Sequence, residues 1–444
     1  MYDQAVEQAA LEQQFAGVGF DLGLDGLGGA GSDDRADGDP FGPMLESFLE
    51  VDLDDPLQVE LWASDLVGAF QGELRATEFA PGQPSPTPDE DLPSEDEFFF
   101  DFVGGLSRRI SAAEPQWARL LAAITPFLSG AAQSKAELDL ESVDAAVIGF
   151  AAPVGRAVVE DTFVMGHETG DGLHVGLVAR HPGAAEPFLA MTFVDVNLGG
   201  MAEDIVVTTE LDEVRAEALS HGLVIEPVDP AEAHARLAAA LQRTDLTMMA
   251  PVEDDFTVLR PLLEALMRSL PEASVLRPPV PPSDEDLAAI VAALVEDSAD
   301  RVDDELTPTR LADTAGLVTR FLCRDLGRSP VEWSPATLEI LLLDYVPRKI
   351  PVPAEALASL PGELAALVPA AQRAAGWEDR HVDVTLDVIR RAEPAFLEQI
   401  ASPGVWEPQK RFVMRAIDEG VDLEDSEAVA ALAATIRDEG GFVS

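Results

Sequence analysis

The stretch Asp195-Val196-Asn197-Leu198-Gly199-Gly200-Met201-Ala202-Glu203-Asp204 sets three carboxylates and a primary amide around a double glycine. Glycines let a ligand approach the backbone closely, while Asp195, Asn197 and Asp204 could supply polar contacts to it. With oxygen donors of this kind, the ligand would be Mg²⁺ or a small polar molecule. The same residues also suit a tight turn whose Asp and Asn side chains bond their own amides. Ligand binding at Asp195, Asn197, Gly199, Gly200 and Asp204 is one expectation, and a self-satisfied turn is the simpler one.

Other chemical patterns fail on context. Gly26-x-Gly28-x-x-Gly31 has the spacing of a dinucleotide loop, but no strand precedes it and aspartates surround it, which would repel a pyrophosphate. Asp33, Asp37 and Gly38 fit three positions of a calcium loop. Arg35 then falls where a carboxylate is needed and Met44 where the bidentate glutamate belongs. His167, His174 and His181 are spaced by seven, so on extended strands they alternate faces. They and His221, His234 and His381 form no His-Glu-x-x-His pattern, and Ser220-His221 lies outside any Gly-x-Ser-x-Gly elbow. No cofactor is expected. Arg348-Lys349 and Lys410-Arg411 with Arg415 are the densest basic clusters. Arg348 and Lys349 could touch a partner, although internal salt bridging near helix ends is the simpler role.

The elements around these residues are mostly helical. Asp54-Asp55-Pro56 reads as a helix start, with proline inside the first turn, and Ser94 with Glu97 fits a capping box. Behind that box stand Phe98, Phe99, Phe102, Leu106 and Ile110, and a second helix from about Pro115 carries Trp117, Leu120, Leu121, Ile124 and Phe127. The period changes near residue 145. Val154–Val164, Leu173–Ala179, Phe188–Val196 and Ile205–Thr208 read as strands, with a hairpin turn at Glu168-Thr169-Gly170-Asp171-Gly172. From Pro230 onward the helical pattern persists, with starts at Ser283 and at Ser334-Pro335. The expected fold is α+β and predominantly helical, with helical segments flanking a small antiparallel β-meander. The expected regions are an acidic Gly/Asp-rich segment (1–43), a helical region (44–142) with a Pro-rich linker (81–93), the meander (143–226) and a helical domain (227–444). A short helix is also expected at Gln4–Phe15, and a polyproline break at Pro278–Pro282.

Composition narrows the function classes. The 444 residues hold 82 acidic against 29 basic side chains, a net charge of -53, and residues 1–100 alone hold 24 acidic and 2 basic. Bare nucleic acid and anionic membrane surfaces need a positive face and are poor partners; cationic proteins are better ones. Cys323, the one cysteine, lies in an apolar run and reads as a buried thiol. With no signal-peptide pattern and no long apolar stretch, the cytoplasm is the expected compartment.

Three stretches, in order, carry a resemblance: Asp54-Asp55-Pro56-Leu57 to Glu60-Leu61-Trp62-Ala63-Ser64; Asp195 to Asp204; and Ser334-Pro335 through Glu339-Ile340-Leu341-Leu342 to Asp344-Tyr345-Val346-Pro347-Arg348-Lys349. Together they resemble a family of long, uncharacterised proteins of high-GC actinobacteria. In that family the second stretch often has histidine where this chain has Val196 and lysine where it has Glu203. The resemblance implies a bacterial cytoplasmic protein and no particular activity. The leading expectation is a non-enzymatic protein-interaction or regulatory protein. The alternative is an enzyme, or a small-ligand or Mg²⁺-binding protein, using the Asp195–Asp204 loop.

Overall fold

A proline and two aspartates set the first long helix of the computed structural model. It describes residues 41–78, 94–111, 114–247, 250–276, 282–301, 306–423 and 425–438. The expected helix at Gln4–Phe15, the glycine and calcium-like patterns before residue 40, the 81–93 linker and most of Pro278–Pro282 lie outside the described residues. The chain divides into two compact units, each assembled from separated stretches.

The first unit comprises Met1–Glu160, Ala179–Pro187 and Glu253–Ser269. Its longer described helices are α1 (Gly42–Phe48), α2 (Pro56–Glu78), α3 (Glu95–Ser107), α4 (Gln116–Ile124), α5 (Gly130–Leu140) and α8 (Asp254–Met267). Asp55 accepts from the amide of Leu57 at 3.0 Å, which caps α2 where the Asp-Asp-Pro signal placed its start. Ser94 and Glu97 form the expected capping box on α3. Phe70 meets Phe98 and Phe102 with centroids 5.3 and 5.2 Å apart, and this ring cluster locks α2 to α3.

α2 and α8 cross with backbone against backbone at Gly68. Pro261 lies inside α8 and has no amide hydrogen, so the Thr257 carbonyl loses its intrahelical donor. Gly68 packs there, and a Cβ at that position would overlap the Thr257 oxygen. One turn away, the Ser64 hydroxyl donates to Val258 O at 2.7 Å and accepts from Leu262 N at 3.0 Å. The serine thus fills a place in the α8 hydrogen-bond ladder itself.

The second unit comprises Asp161–Val178, Phe188–Val252 and Leu270–Ser444. It contains most of a five-stranded sheet: β1 (Val158–Gly166), β2 (Gly172–Arg180), β3 (Phe188–Asp195), β4 (Met201–Thr208) and β5 (Val224–Pro227), in the order β4-β3-β2-β1-β5. The four expected strands are present, and the fold is the expected α+β, predominantly helical one. β5 is an addition. It follows α6 (Leu211–Ser220) and pairs antiparallel with β1, Val224 opposite Gly166. α6 covers one face, where Ala218, Leu211 and Val214 meet Phe163, Met165, Leu189 and Met191. α7 (Pro230–Leu246) protects the β4 edge. Its Thr244 hydroxyl accepts from Ala202 N at 3.0 Å and donates to Ala202 O at 2.8 Å, occupying edge groups that would otherwise be open.

The rest of this unit is helical: α9 (Asp284–Asp297), α10 (Pro308–Arg320), α11 (Pro335–Ile340), α12 (Leu360–Ala374), α13 (Arg380–Ile400), α14 (Pro408–Glu419) and α15 (Ser426–Asp438). Leu338, Leu341 and Leu342 are buried in the large core with Trp333, Leu367 and Phe396. A helix apolar on several sides, as this one is, belongs at the centre of its unit. Cys323 is buried, and desolvation raises its thiol pKa, as an inert cysteine requires. No helix among the described residues is long and apolar enough to cross a membrane.

Candidate functional site

The hairpin between β3 and β4 shows what the Asp195–Asp204 stretch does. Asp195 pairs with Met201, leaving a five-residue loop, and Gly199 and Gly200 both take left-handed backbone, with φ of 81° and 80°. Only glycine adopts two such conformations in succession without strain. The Asp195 carboxylate accepts from its own turn, from Asn197 N at 2.6 Å and Leu198 N at 3.1 Å. Its pKa is raised. Burial is the largest cause and the nearby Asp171 carboxylate adds to it, while the two amides and Arg328 oppose. Asp204 does not join the loop. The register skips at Phe193/Val194 and sets Asp204 opposite Phe193, farther along β4.

Asn197 points inward and meets a residue that sequence reasoning did not single out. The Arg328 side chain is almost fully buried, and its Nη1 donates to Asn197 Oδ1 and to Asp171 Oδ1, both at 2.8 Å. Nη2 donates to the Thr169 carbonyl at 2.6 Å. Asn197 Nδ2 donates to Asp171 O at 3.2 Å, and the Ser334 hydroxyl donates to Asp171 Oδ1. Ser334 also caps α11, accepting from Thr337 N at 3.1 Å. One guanidinium therefore ties together the β1–β2 turn, the β3–β4 loop and the start of α11. The turn is held a second time through Glu168, whose Oε2 lies 2.9 Å from His381 Nε2 and 3.4 Å from Arg380.

Chemically this is an ion pair buried on its arginine side: each bond fixes a loop, and the charge of Arg328 is answered by Asp171 at 2.8 Å and by Glu332 at 3.4 Å. Asp195, Asn197, Gly199 and Gly200 come together in it as a turn, the simpler of the two sequence readings of these residues. The signal that could have revealed Arg328 was weak, because an arginine between Gly327 and Ser329-Pro330 looks like any loop cation.

The other candidate residues, Arg348 and Lys349, lie apart from this network. Arg348 pairs with Asp344 at 2.5 Å and Glu407 at 2.9 Å, and those carboxylates raise its pKa. Lys349 stands 5.4 Å from the Tyr345 ring centroid. Nearby, Lys410 is buried and donates to Pro347 O at 2.7 Å and Val346 O at 3.3 Å. Desolvation lowers its pKa to about 8.

In the first unit, Glu60 and His181 form a second buried ionisable pair, Oε1 to Nε2 at 2.9 Å, and the same oxygen accepts from Gly155 N at 2.7 Å. Glu60 was not singled out from the sequence; the signal that could have revealed it is a carboxylate on the buried stripe of α2, between Val59 and Ala63. His174, on β2, is a half-buried histidine. Burial, aided by His167, lowers its pKa to about 4 and keeps it neutral.

A third feature is apolar. Between α14 and α15 runs an open groove of about 650 Å³ lined by Pro408, Gln409, Phe412, Val413, Ala433, Ile436 and Arg437. The two helices share only a small core of Ala416, Leu432 and Ile436, with Phe412 and Val421 against it. They cover too little of one another to close the groove. Among the described residues, no group of three or more His, Cys, Asp or Glu is placed to hold a metal ion. No family model, curated protein or solved structure matches this chain.

Proposed function

We propose that this is an interaction protein that seats apolar side chains of a partner in the α14–α15 groove, its net charge of -53 drawing cationic partners toward it. The observation that carries the reading is the groove itself, because apolar surface flanked by helices on an otherwise charged chain is what helix-in-groove recognition uses. The commitment of Arg328, Asp171, Asn197 and Ser334 to one another supports it: the polar residues around the loop act as structure. The test is affinity capture from the native cell with the full chain and with Val413→Glu, at low and high salt. The reading expects a partner held by the parent, weakened by salt and lost from the variant, with unchanged circular dichroism. Retention of the same partner by Val413→Glu would refute it.

A second reading, binding of Mg²⁺ or a small ligand at the β3–β4 loop, draws on the raised pKa of Asp195 beside Asp171. Calorimetric titration with Mg²⁺, repeated on Asp195→Asn, decides it: a heat of binding absent from the variant supports the loop as a site.

A further inference from the structure

The two edges of the sheet differ. At the β4 edge the Thr244 hydroxyl engages both backbone groups of Ala202. β5 ends the sheet on the other side, and among the described residues no strand lies beyond it. Its register fixes which groups face outward. Val228 N donates to Thr162 O at 3.1 Å, and Pro227 stands opposite Phe163, Ile225 opposite Met165. Backbone direction alternates along a strand, so Glu226 and Val224 bond toward β1, as Val228 does, while Ile225 and Pro227 turn their polar groups to the open side. Among the described residues nothing bonds to the outward N–H and C=O of Ile225. A donor and an acceptor displayed side by side on a strand edge are what β-strand addition uses.

The surroundings select the incoming segment. Residues 211–229, from the start of α6 past β5, hold five carboxylates against one arginine, Arg215, which pairs with Asp161 at 3.7 Å. On β5 itself Val224 and Glu226 are exposed, on the face away from α6. An antiparallel strand centred on Ile225 sets one side chain beside Val224 and another, two positions earlier, beside Glu226. An apolar residue suits the first place and a basic residue the second. A second copy of this chain is a poor occupant, because it would bring an equally acidic segment against this one. Pro227, without an N–H, ends the ladder, so the edge takes one short strand and does not zip further.

We infer that β5 is a docking edge for an extended cationic segment of a protein partner, paired antiparallel with Ile225, a basic side chain against Glu226 and an apolar one against Val224. None of these residues lines the α14–α15 groove, and the inference stands without it.

The experiment adds the fluorescein-labelled peptide Lys-Arg-Val-Ile-Arg-Lys to the full chain and reads fluorescence anisotropy and amide exchange. In antiparallel register its first arginine lies beside Glu226, its valine opposite Ile225 and its isoleucine beside Val224. The expected result is binding that weakens with salt, with exchange of the Ile225 amide slowed about tenfold and that of Glu226, already bonded to β1, little changed. A matched peptide, N-methylated at its valine, keeps the charge but lacks the N–H that meets the Ile225 carbonyl. It should bind about tenfold more weakly. Glu226→Lys should weaken the unmodified peptide by a similar factor while keeping the circular dichroism of the parent. Equal binding of the two peptides, or an Ile225 amide whose exchange the peptide leaves unchanged, overturns the inference, since charge alone then explains the association. Absence of binding at about 1 mM peptide overturns it as well. A dimer of the parent chain that protects the Ile225 amide without peptide gives the edge to a second copy, with the same consequence.

Discussion

Arg328 Nη1 and Asp171 Oδ1 stand 2.8 Å apart, and the same oxygen accepts from Ser334, so one carboxylate joins a hairpin turn to a helix start 163 residues later in the chain. Removing the cation leaves the Asp171 carboxylate without its counter-charge and Asn197 Oδ1 without its donor. We predict that Arg328→Ala destabilises the protein by ~3–5 kcal/mol, the usual cost of stranding one half of a buried pair. Asp171→Asn should cost less, because a neutral oxygen still accepts from Arg328 and Ser334. Urea unfolding measures both. Amide exchange in residues 195–200 should quicken in Arg328→Ala; an unchanged loop would show that the guanidinium does not hold it.

Glu60 and His181 make a similar prediction in the first unit. His181→Ala strands a carboxylate whose side chain is 1 % exposed, at a cost of about 3–5 kcal/mol. The double variant Glu60→Leu/His181→Leu should recover much of that loss, since an apolar pair needs no desolvation. A thermal-melt cycle over the parent, Glu60→Leu, His181→Leu and the double variant reads the coupling.

Gly68 supports the close α2–α8 crossing. Gly68→Ala pushes a methyl group onto the Thr257 carbonyl, backbone that cannot swing away. The expected loss is ~1–3 kcal/mol, the range for overpacking a tight contact, despite the better helix propensity of alanine. A stabilised variant would mean that the two helices separate freely.

Asp65 gives the first unit a pH dependence. Burial, and secondarily the Asp255 carboxylate, raise its pKa from 3.8 to about 6. The folded state therefore binds the proton more tightly than the unfolded chain. Its penalty is fully present above pH ~6 and fades as the pH falls from 6 toward 3.8. Asp65→Asn should stabilise the protein at pH 8, on the order of 1 kcal/mol after solvent screening, and have little effect near pH 4. Urea midpoints at the two pH values check the sign.

Lys410 works in the opposite range. Its folded pKa of about 8 lies below the ordinary 10.5, so between these values the unfolded chain holds the extra proton. Stability from this group rises as pH climbs from 8 to 10.5, and its penalty is complete below 8. Lys410→Met should flatten that rise in unfolding curves between pH 7.5 and 10, while losing the bonds to Val346 O and Pro347 O.

Local chemistry was legible without coordinates. Asp55, Ser94, Ser283 and Ser334 cap helices where their sequence signals placed them, because a cap is decided within four residues. The turn at Glu168–Gly172, the strands on either side of it and the self-bonded turn after Asp195 follow from equally short patterns. β5 escaped notice because four residues with burial on one side only carry too little alternation to register.

Tertiary structure alone decided which distant groups pair with one another. Arg328 with Asp171, Glu60 with His181, and Ser64 with the α8 backbone are separated by 157, 121 and 194 positions. Nothing in either local sequence names its partner, since ion pairs and hydrogen bonds depend on distances of about 3 Å that only the folded path of the chain sets. The grouping of Glu253–Ser269 with the first unit has the same origin. Composition determined that the chain is acidic and helical; proximity decided which of its charges are structure and which apolar face stays open.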